Sequence, residues 1–316
     1  MPEQPVAPGA DVVLELAVCA VVVTYRPDSA LLKALLDSLE SQVGRVVVVD
    51  NASPGAVLRG LCAGRDRVEL LSLPENLGLA TALNRGIARA RAMPGISHVM
   101  LMDQDSVPES GMVAALKAAL DHQSQRTKVA AAGPHFRDPR EGGDAPFVRI
   151  RFPFNRQLRC AGGDDAVICD FLITSGSLIP LASLDNVGDM DDGLFIDNVD
   201  LEWCFRAASK GYALLGVCEA RMLHHHGADR YRVPGLSRGI VVHTPHRLYY
   251  MMRNRVLLYQ RAYTPARWIA QDVPRLIVKL LLFALLVPPR RQNLRCMLAG
   301  LKAGIAGRTS PPSETD

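Results

Sequence analysis

The chain has 316 residues, 48% of them apolar and 22% charged, which excludes a disordered chain and supplies ample material for a large core. Its net charge of +4 hides an asymmetry: from Arg221 onward there are 16 Lys/Arg against 4 Asp/Glu, leaving 20 against 28 before that point, so the C-terminal part is expected to face an anionic surface. Seven cysteines without a Cys-x-x-Cys fit packed thiols in a reduced compartment, no run of 18 apolar residues offers a membrane span, and Met-Pro-Glu-Gln-Pro does not read as a secretory signal.

After a loose leader through residue 13, residues 16–23 are a continuous apolar run rich in β-branched side chains that ends at Thr24-Tyr25-Arg26-Pro27, the pattern of a buried parallel strand. Asp28 or Ser29 can cap a helix on which Leu31, Leu32, Leu35, Leu36 and Leu39 share a face. A second buried strand over 45–49 runs into Asp50-Asn51-Ala52-Ser53-Pro54. A third strand over 68–73, a helix over 80–92 and a fourth strand from about 98 follow. Such alternation predicts a Rossmann-like, mostly parallel sheet with helices on both faces and ligands at the carboxyl ends of the strands. Thr24, Asp50, Asn76 and Asp103 all fall at those ends.

The fourth strand ends in Asp103-Gln104-Asp105. In extended chain, residues two apart point to one side, so both carboxylates can meet one divalent cation that also holds a diphosphate. The triplet alone is common, as Asp189-Met190-Asp191 shows; its place on the shared edge distinguishes it. Asp50 is either a turn cap or an acceptor for a nucleobase edge. Gly78 lies where backbone could approach a ligand in front of helix amides.

A helix over 111–120 comes next, and residues 137–165, rich in Gly, Pro, Asp and Arg, read as a mobile connection. Residues 167–180 are strand-like with a break at Ser175-Gly176. Asp197 and Asp200 are three apart and share a face at a helix start, where acids are favoured by the dipole. Their apolar neighbours Phe195, Ile196 and Trp203 can instead tune a carboxylate as a base. A short strand over 212–218 leads to His224-His225-His226, of which only His224 and His226 can share a side. After a helix over 241–258, residues 276–287 are the most apolar stretch. Twelve residues reach only about 18 Å, short of a roughly 30 Å hydrocarbon core, so an interfacial helix between Arg275 and Arg290-Arg291 fits better, with a buried helix of the domain as the alternative. The tail from 309 reads as disordered.

Taken together, Val-Val-Thr-Tyr-Arg-Pro, Val-Val-Asp-Asn-Ala-Ser, Glu-Asn-Leu-Gly-Leu-Ala-Thr-Ala-Leu-Asn-Arg-Gly, Met-Asp-Gln-Asp-Ser, Ser-Gly-Ser, Leu-Phe-Ile-Asp-Asn-Val-Asp-Leu-Glu-Trp and His-His-His-Gly resemble, in order, the inverting family 2 glycosyltransferases of GT-A fold, and among them bacterial rhamnosyltransferases. The resemblance implies a nucleotide-sugar half over 14–136 and an acceptor and catalytic half over 137–235; the charge and the short apolar stretch add a basic helical segment over 236–308 that is expected to associate with the membrane. It implies that Thr24, Tyr25, Asp50, Asn76, Arg85 and Asp103 line the nucleotide sugar, and that Asp105, His224 and Asp103 hold Mg²⁺ or Mn²⁺. Asp197 would be the general base with Asp200 in reserve, since Asn198 stands where many relatives carry theirs. Ser175, Gly176 and Trp203 would face the acceptor.

The implied partners are dTDP-L-rhamnose, a glycolipid or polyprenyl-linked glycan acceptor and the inner membrane surface, with no nucleic acid. Residues 243–254 are similar to the enzyme type that adds the second rhamnose to mono-rhamnolipid; an O-antigen, capsule or cell-wall precursor suits the same features. The implied location is cytoplasmic, at the inner face of the inner membrane. A sugar-nucleotide pyrophosphorylase would need a Gly-rich phosphate loop after the first strand, where Thr24-Tyr25-Arg26-Pro27-Asp28 stands, and a non-catalytic partner would not need these acids.

Overall fold

The computed structural model describes residues 14–55, 57–138, 143–160, 166–224, 230–231 and 240–310. Its first half runs β1 (Glu15–Thr24), α1 (Ser29–Glu40), β2 (Val43–Asp50), α2 (Val57–Cys62), β3 (Val68–Ser72), α3 (Leu79–Arg91) and β4 (His98–Asp103). Strand β1 pairs in parallel with β2 and β4, and β2 with β3. The apolar runs are continuous because both faces are covered. Val18, Ala20 and Val22 pack with the α1 leucines, whereas Cys19, Val21 and Val23 pack with Leu83 and Ile87 of α3. Asp28 caps α1, accepting from the Ala30 and Leu31 amides, and Leu32, Leu35, Leu36 and Leu39 are fully buried, each worth about 1.5–3 kcal/mol.

Register sets the edge. Val23 lies opposite Asp103, Thr24 opposite Asp50 and Asp50 opposite Ser72, so four strands end level.

The second half contains β5 (Ser106–Pro108), α4 (Met112–Ser124), β6 (Val129–Asp138), β7 (Gly143–Asp144), β8 (Phe147–Arg149), β9 (Arg156–Leu158), β10 (Ala166–Cys169), β11 (Ser177–Pro180), α5 (Leu181–Val187), α6 (Val199–Ser209) and β12 (Ala213–His224). The main sheet has ten strands along the path β10-β12-β6-β11-β4-β1-β2-β3, with β5 and β7 attached to β12 and β6. It is mostly parallel, but β11 is inserted antiparallel between β4 and β6. The sequence pattern cannot show this, because a strand buried on both faces reads alike in either direction.

Three expectations need correction. The described part of 137–165 is not a bare connection: it continues β6, adds β7, β8 and β9, and buries Phe147 and Ile150 in the main core. Two isolated apolar side chains among many polar ones gave no periodic signal. Cys160 and Cys218 are joined in a disulfide, while Cys19, Cys62, Cys169, Cys204 and Cys296 are free. Finally, β12 is 12 residues long and carries His224 as its last residue; His225 and His226 lie outside the described residues.

Beyond the short pair β13 (Arg230–Tyr231) and β14 (Ile240–Val241), three helices close the chain: α7 (Pro245–Tyr259), α8 (Ala266–Leu285) and α9 (Arg290–Ile305). Leu248, Met252, Leu276, Phe283 and Met297 form their own small core. A Cβ on Gly300 would meet the Tyr249 carbonyl oxygen at 2.2 Å, so glycine lets α9 approach α7. Helix α8 begins ten residues before the apolar stretch, because its first half is held by the buried Trp268, Gln271 and Asp272 rather than by a uniform apolar run. No helix of the described residues is long and apolar enough to cross a membrane.

Candidate active site

At the level strand ends, Thr24 is fully buried and its hydroxyl donates to Asp50 at 3.3 Å. Asp50 also accepts from the Ser53 amide at 3.1 and 3.3 Å, so it caps its turn and keeps only its remaining lone pairs for a ligand. Asn51 and Asn76 lock the next loop: Asn51 donates to Asn76 at 2.8 Å, and in turn accepts from the Leu77 amide at 2.8 Å. Tyr25 is clasped by Gln104, whose side chain accepts from its amide at 2.7 Å and donates to its carbonyl at 3.2 Å. The middle residue of the acidic triplet thus ties the first strand end to the fourth, a role the sequence reading missed. Arg85 is exposed on α3, in the second turn of the helix.

Gly78 is explained differently from the expectation. The Leu79 and Ala80 amides at the start of α3 donate to the Phe195 carbonyl, at 2.6 and 3.3 Å, instead of opening to a ligand. Gly78 has φ +87°, and a Cβ there would sit 2.5 Å from the Phe195 ring. Gly78→Ala is expected to cost at least about 2 kcal/mol in urea unfolding, from left-handed backbone plus the clash.

Asp103, Asp105 and His224 come together with ligand atoms all within 4.8 Å of one another. The cause is register: β5 runs antiparallel to the end of β12 and sets Ser106 opposite His224, bringing the imidazole beside Asp105 across more than a hundred residues. Nδ1 of His224 is 2.5 Å from the Ser106 hydroxyl and 3.7 Å from Asp105. Ser175, expected at the acceptor, is fully buried behind this cluster; its hydroxyl accepts from the Asp103 amide at 3.1 Å and donates to Ser106 at 2.8 Å. Gly176 turns the chain at φ +81° against Pro134, which would stand 2.4 Å from a Cβ. Trp203, 3% exposed, donates to the Gly188 carbonyl at 2.9 Å and belongs to the core. None of the three faces an acceptor; a Ser-Gly break and a Trp on an apolar helix face carry the same signal when structural.

The third component is the loop between the 3₁₀ turn at Asp192–Leu194 and α6. Phe195, Asp197 and Asn198 all have φ near +64° (63°, 65° and 64°), conformations that side chains rarely adopt. Helix α7 holds them. Asn254 donates to the carbonyls of Leu194, Ile196 and Asp197 at 2.7–2.9 Å, and Arg253 to those of Gly193 and Leu194 at 2.7 and 3.1 Å. Arg253 also donates to Thr309 and Ser310, which places those two residues on the body rather than in a disordered tail. The C-terminal helices are therefore part of the site's frame. Asn254→Ala is expected to cost about 3 kcal/mol, since it strands buried carbonyls and frees a strained turn.

Asp197 is bound by Arg247 through Nε at 3.0 Å and Nη2 at 2.9 Å. The hydrogen bonds to Asp197 hold the Arg247 guanidinium above its ordinary pKa, and the charges of Asp197, Asp103 and Asp105 add to the effect. Burial pushes Asp103 up to about 7, helped by the charges of Asp105 and Asp200 and opposed by Arg247. Asp200 is raised to about 6, chiefly by burial and against hydrogen bonds from the Leu201 and Thr174 amides.

Both pKa values are raised above the ordinary carboxylate value, so the stabilisation belongs to the protonated forms: it is full below about pH 4 and lost as pH rises through 6 to 7. A divalent cation placed among these acids offsets the repulsion where they are ionised. Mn²⁺ is expected to raise the melting temperature more at about pH 8 than at about pH 5, measured on metal-stripped protein.

Residues 19–172 match the model of glycosyl transferase family 2. The chain is 29% identical over 289 residues, 91% of its length and 94% of the relative's, to the dTDP-rhamnosyl transferase RfbF of Shigella flexneri. It is 28% identical over 242 residues, 68% of this chain and 78% of the relative, to an N-acetylglucosaminyl-diphospho-decaprenol L-rhamnosyltransferase of Mycobacterium tuberculosis. Among solved structures, GalNAc-T7 with UDP, GalNAc and Mn²⁺ aligns at TM-score 0.61 and 15% identity, over 92% of this chain and 56% of that one. TarS 1–349 of S. aureus aligns at 0.57 and 15%, over 91% and 80%.

Those two structures establish the architecture, a mixed α/β fold of GT-A type with a central, mostly parallel sheet. On the match to the glycosyl transferase family 2 model and the relatives named as rhamnosyltransferases, the protein is a hexosyltransferase.

Proposed function

We propose that the chain transfers L-rhamnose from dTDP-L-rhamnose, with inversion, to a hydroxyl of a lipid-borne glycan. The observation that carries the chemistry is the convergence of Asp103, Asp105 and His224 with the Asp197 loop at one edge of the sheet. The donor sugar rests on the relatives' names, and the decaprenol-linked substrate in one of them favours a polyprenyl-linked acceptor of O-antigen or cell-wall type. Mono-rhamnolipid, the acceptor first expected, gains no such support.

Two carboxylates and an imidazole fit Mn²⁺ well and Mg²⁺ less so, because Mg²⁺ prefers oxygen ligands. When bound, the cation offsets the charge that develops on the leaving diphosphate. Asp197 takes the proton of the acceptor hydroxyl; the acceptor oxygen bonds to the anomeric carbon on the face opposite the nucleotide, and the C–O bond to phosphate breaks with its electron pair leaving on dTDP. For Asp197 to do so, Arg247 gives up at least one of its bonds; its charge already reaches Asp103 and Asp105 on the donor side. Gln104, Ser106 and Ser175 keep the acidic turn rigid.

The test is a donor panel read by mass spectrometry with a polyprenyl-diphosphate-linked sugar as acceptor. Turnover of dTDP-L-rhamnose over UDP-sugars supports the reading; preference for a UDP-sugar overturns the donor assignment.

A further inference from the structure

We infer that the exposed face of α8 docks on an anionic lipid bilayer and that this face, rather than a spanning segment, brings the enzyme to its acceptor. The inference deepens the proposed function by naming the surface on which a lipid-borne acceptor is met.

The face is apolar and continuous. Val273, Ile277, Leu281 and Leu285 recur every fourth residue and are 38%, 50%, 51% and 63% exposed, with Val278 beside them at 54%. These residues span about 18 Å along the helix, too short to cross hydrocarbon and long enough to lie in an interface. Their opposite side is anchored, with Leu276 and Phe283 in the small core of the C-terminal helices. The face is therefore presented by a packed helix and not by a frayed one.

Charge identifies the occupant. Residues 273–308 contain seven Lys/Arg and no Asp/Glu. Arg275, Arg290, Arg291, Arg295 and Lys302 are exposed, and Leu298 and Ile305 lie among the cations of α9, an arrangement in which long basic side chains reach lipid phosphates while apolar ones enter the acyl boundary. Two copies of this chain meeting through this segment would bring its cations together with no acid in it to pair them, and would be repelled. An anionic bilayer complements both the stripe and its rim.

The position of the face relative to the chemistry agrees. Lys279 lies on the other side of α8, next to Met251 and Phe283, close enough to Asp197 and Arg247 for their charges to act on it. The stripe lies on the side of α8 away from Lys279, whose neighbour α7 holds the loop that carries the proposed base. A phosphate-linked sugar standing at the headgroup level would reach the cleft without leaving the membrane.

The test uses the full chain and vesicles of phosphatidylcholine with or without phosphatidylglycerol. Wild-type protein is expected to co-sediment with the anionic vesicles at low salt, to bind the neutral ones far less, and to dissociate as salt rises. The combined variant Ile277→Gln, Leu281→Gln, Leu285→Gln is expected to lose about tenfold or more in vesicle affinity. Its melting temperature and its affinity for dTDP in solution should stay as in wild type. Arg290→Gln with Arg291→Gln and Arg295→Gln should abolish the preference for phosphatidylglycerol. The inference is overturned if wild type fails to bind anionic vesicles at low salt, if the apolar triple variant binds as wild type does, or if the wild type is a dimer that the triple variant breaks. Nucleotide affinity and donor turnover in solution are read separately, so a failed membrane inference leaves the proposed reaction standing, and a failed reaction leaves vesicle binding to be judged alone.

Discussion

Asp105→Asn is expected to lower sugar transfer by about a thousandfold or more while leaving the fold intact. Asp105 stands at the centre of the acidic turn, beside His224 at 3.7 Å and in the group whose ligand atoms lie within 4.8 Å of one another. Halving the carboxylate charge there weakens the hold on a divalent cation whose contribution to a departing diphosphate is several kcal/mol, and each 1.4 kcal/mol is a factor of about ten in rate. Asp105 is partly exposed, and Asn keeps its size, so circular dichroism and the melting temperature should change little. The fall should be accompanied by weaker Mn²⁺ binding in calorimetry. Unchanged transfer with unchanged Mn²⁺ affinity would remove Asp105 from the site.

The second large effect concerns the base. Asp197→Asn is expected to lower kcat by about 10²–10⁴, the range for a lost general base, with donor affinity nearly unchanged. Asp200→Asn should do less to kcat and more to stability and donor binding, because Asp200 sits deep against Asp103 and accepts backbone hydrogen bonds at the start of α6. The pH profile separates the two. Asp200 is raised to about 6 by burial, so a base at that position would give kcat an acidic limb near pH 6 that vanishes in Asp200→Asn. Loss of that limb together with full activity of Asp197→Asn would transfer the role to Asp200.

Much of the first half was legible because its signals are local. Four strands, three of them buried, the Asp28 cap and the α1 leucines follow from periodicity and composition, and the level strand ends follow from alternation of strand and helix. The pairing of Asp105 with His224 was reachable only through family resemblance, since it depends on an antiparallel contact between β5 and β12 that no local pattern encodes. The errors have a common cause. Ser175 and Trp203 were expected at the acceptor and Gly78 was open to a ligand, yet each serves another part of the chain: the Asp103 amide, the Gly188 carbonyl and Phe195. A residue suited to meet a ligand is equally suited to meet backbone. Asn254, which grips three carbonyls of the strained loop, stood out only as part of the resembling segment 243–254 and not by its role: a single Asn within a helix of aromatics and arginines carries no periodic or compositional mark.

The membrane expectation changed in kind. The sequence offered a short apolar stretch and a basic half, whereas the structure divides that stretch into a packed side and an exposed stripe and puts its helix against the catalytic loop's support. The C-terminal helices thus frame the site and present a surface at once.

The most direct test of the whole account is transfer from dTDP-L-rhamnose to a polyprenyl-diphosphate-linked acceptor, followed by mass spectrometry with Mn²⁺ present and after chelation. The account predicts a rhamnosylated product of inverted anomeric configuration that disappears on chelation and returns with Mn²⁺. Transfer that persists unchanged after chelation, or a product that retains configuration, would contradict it.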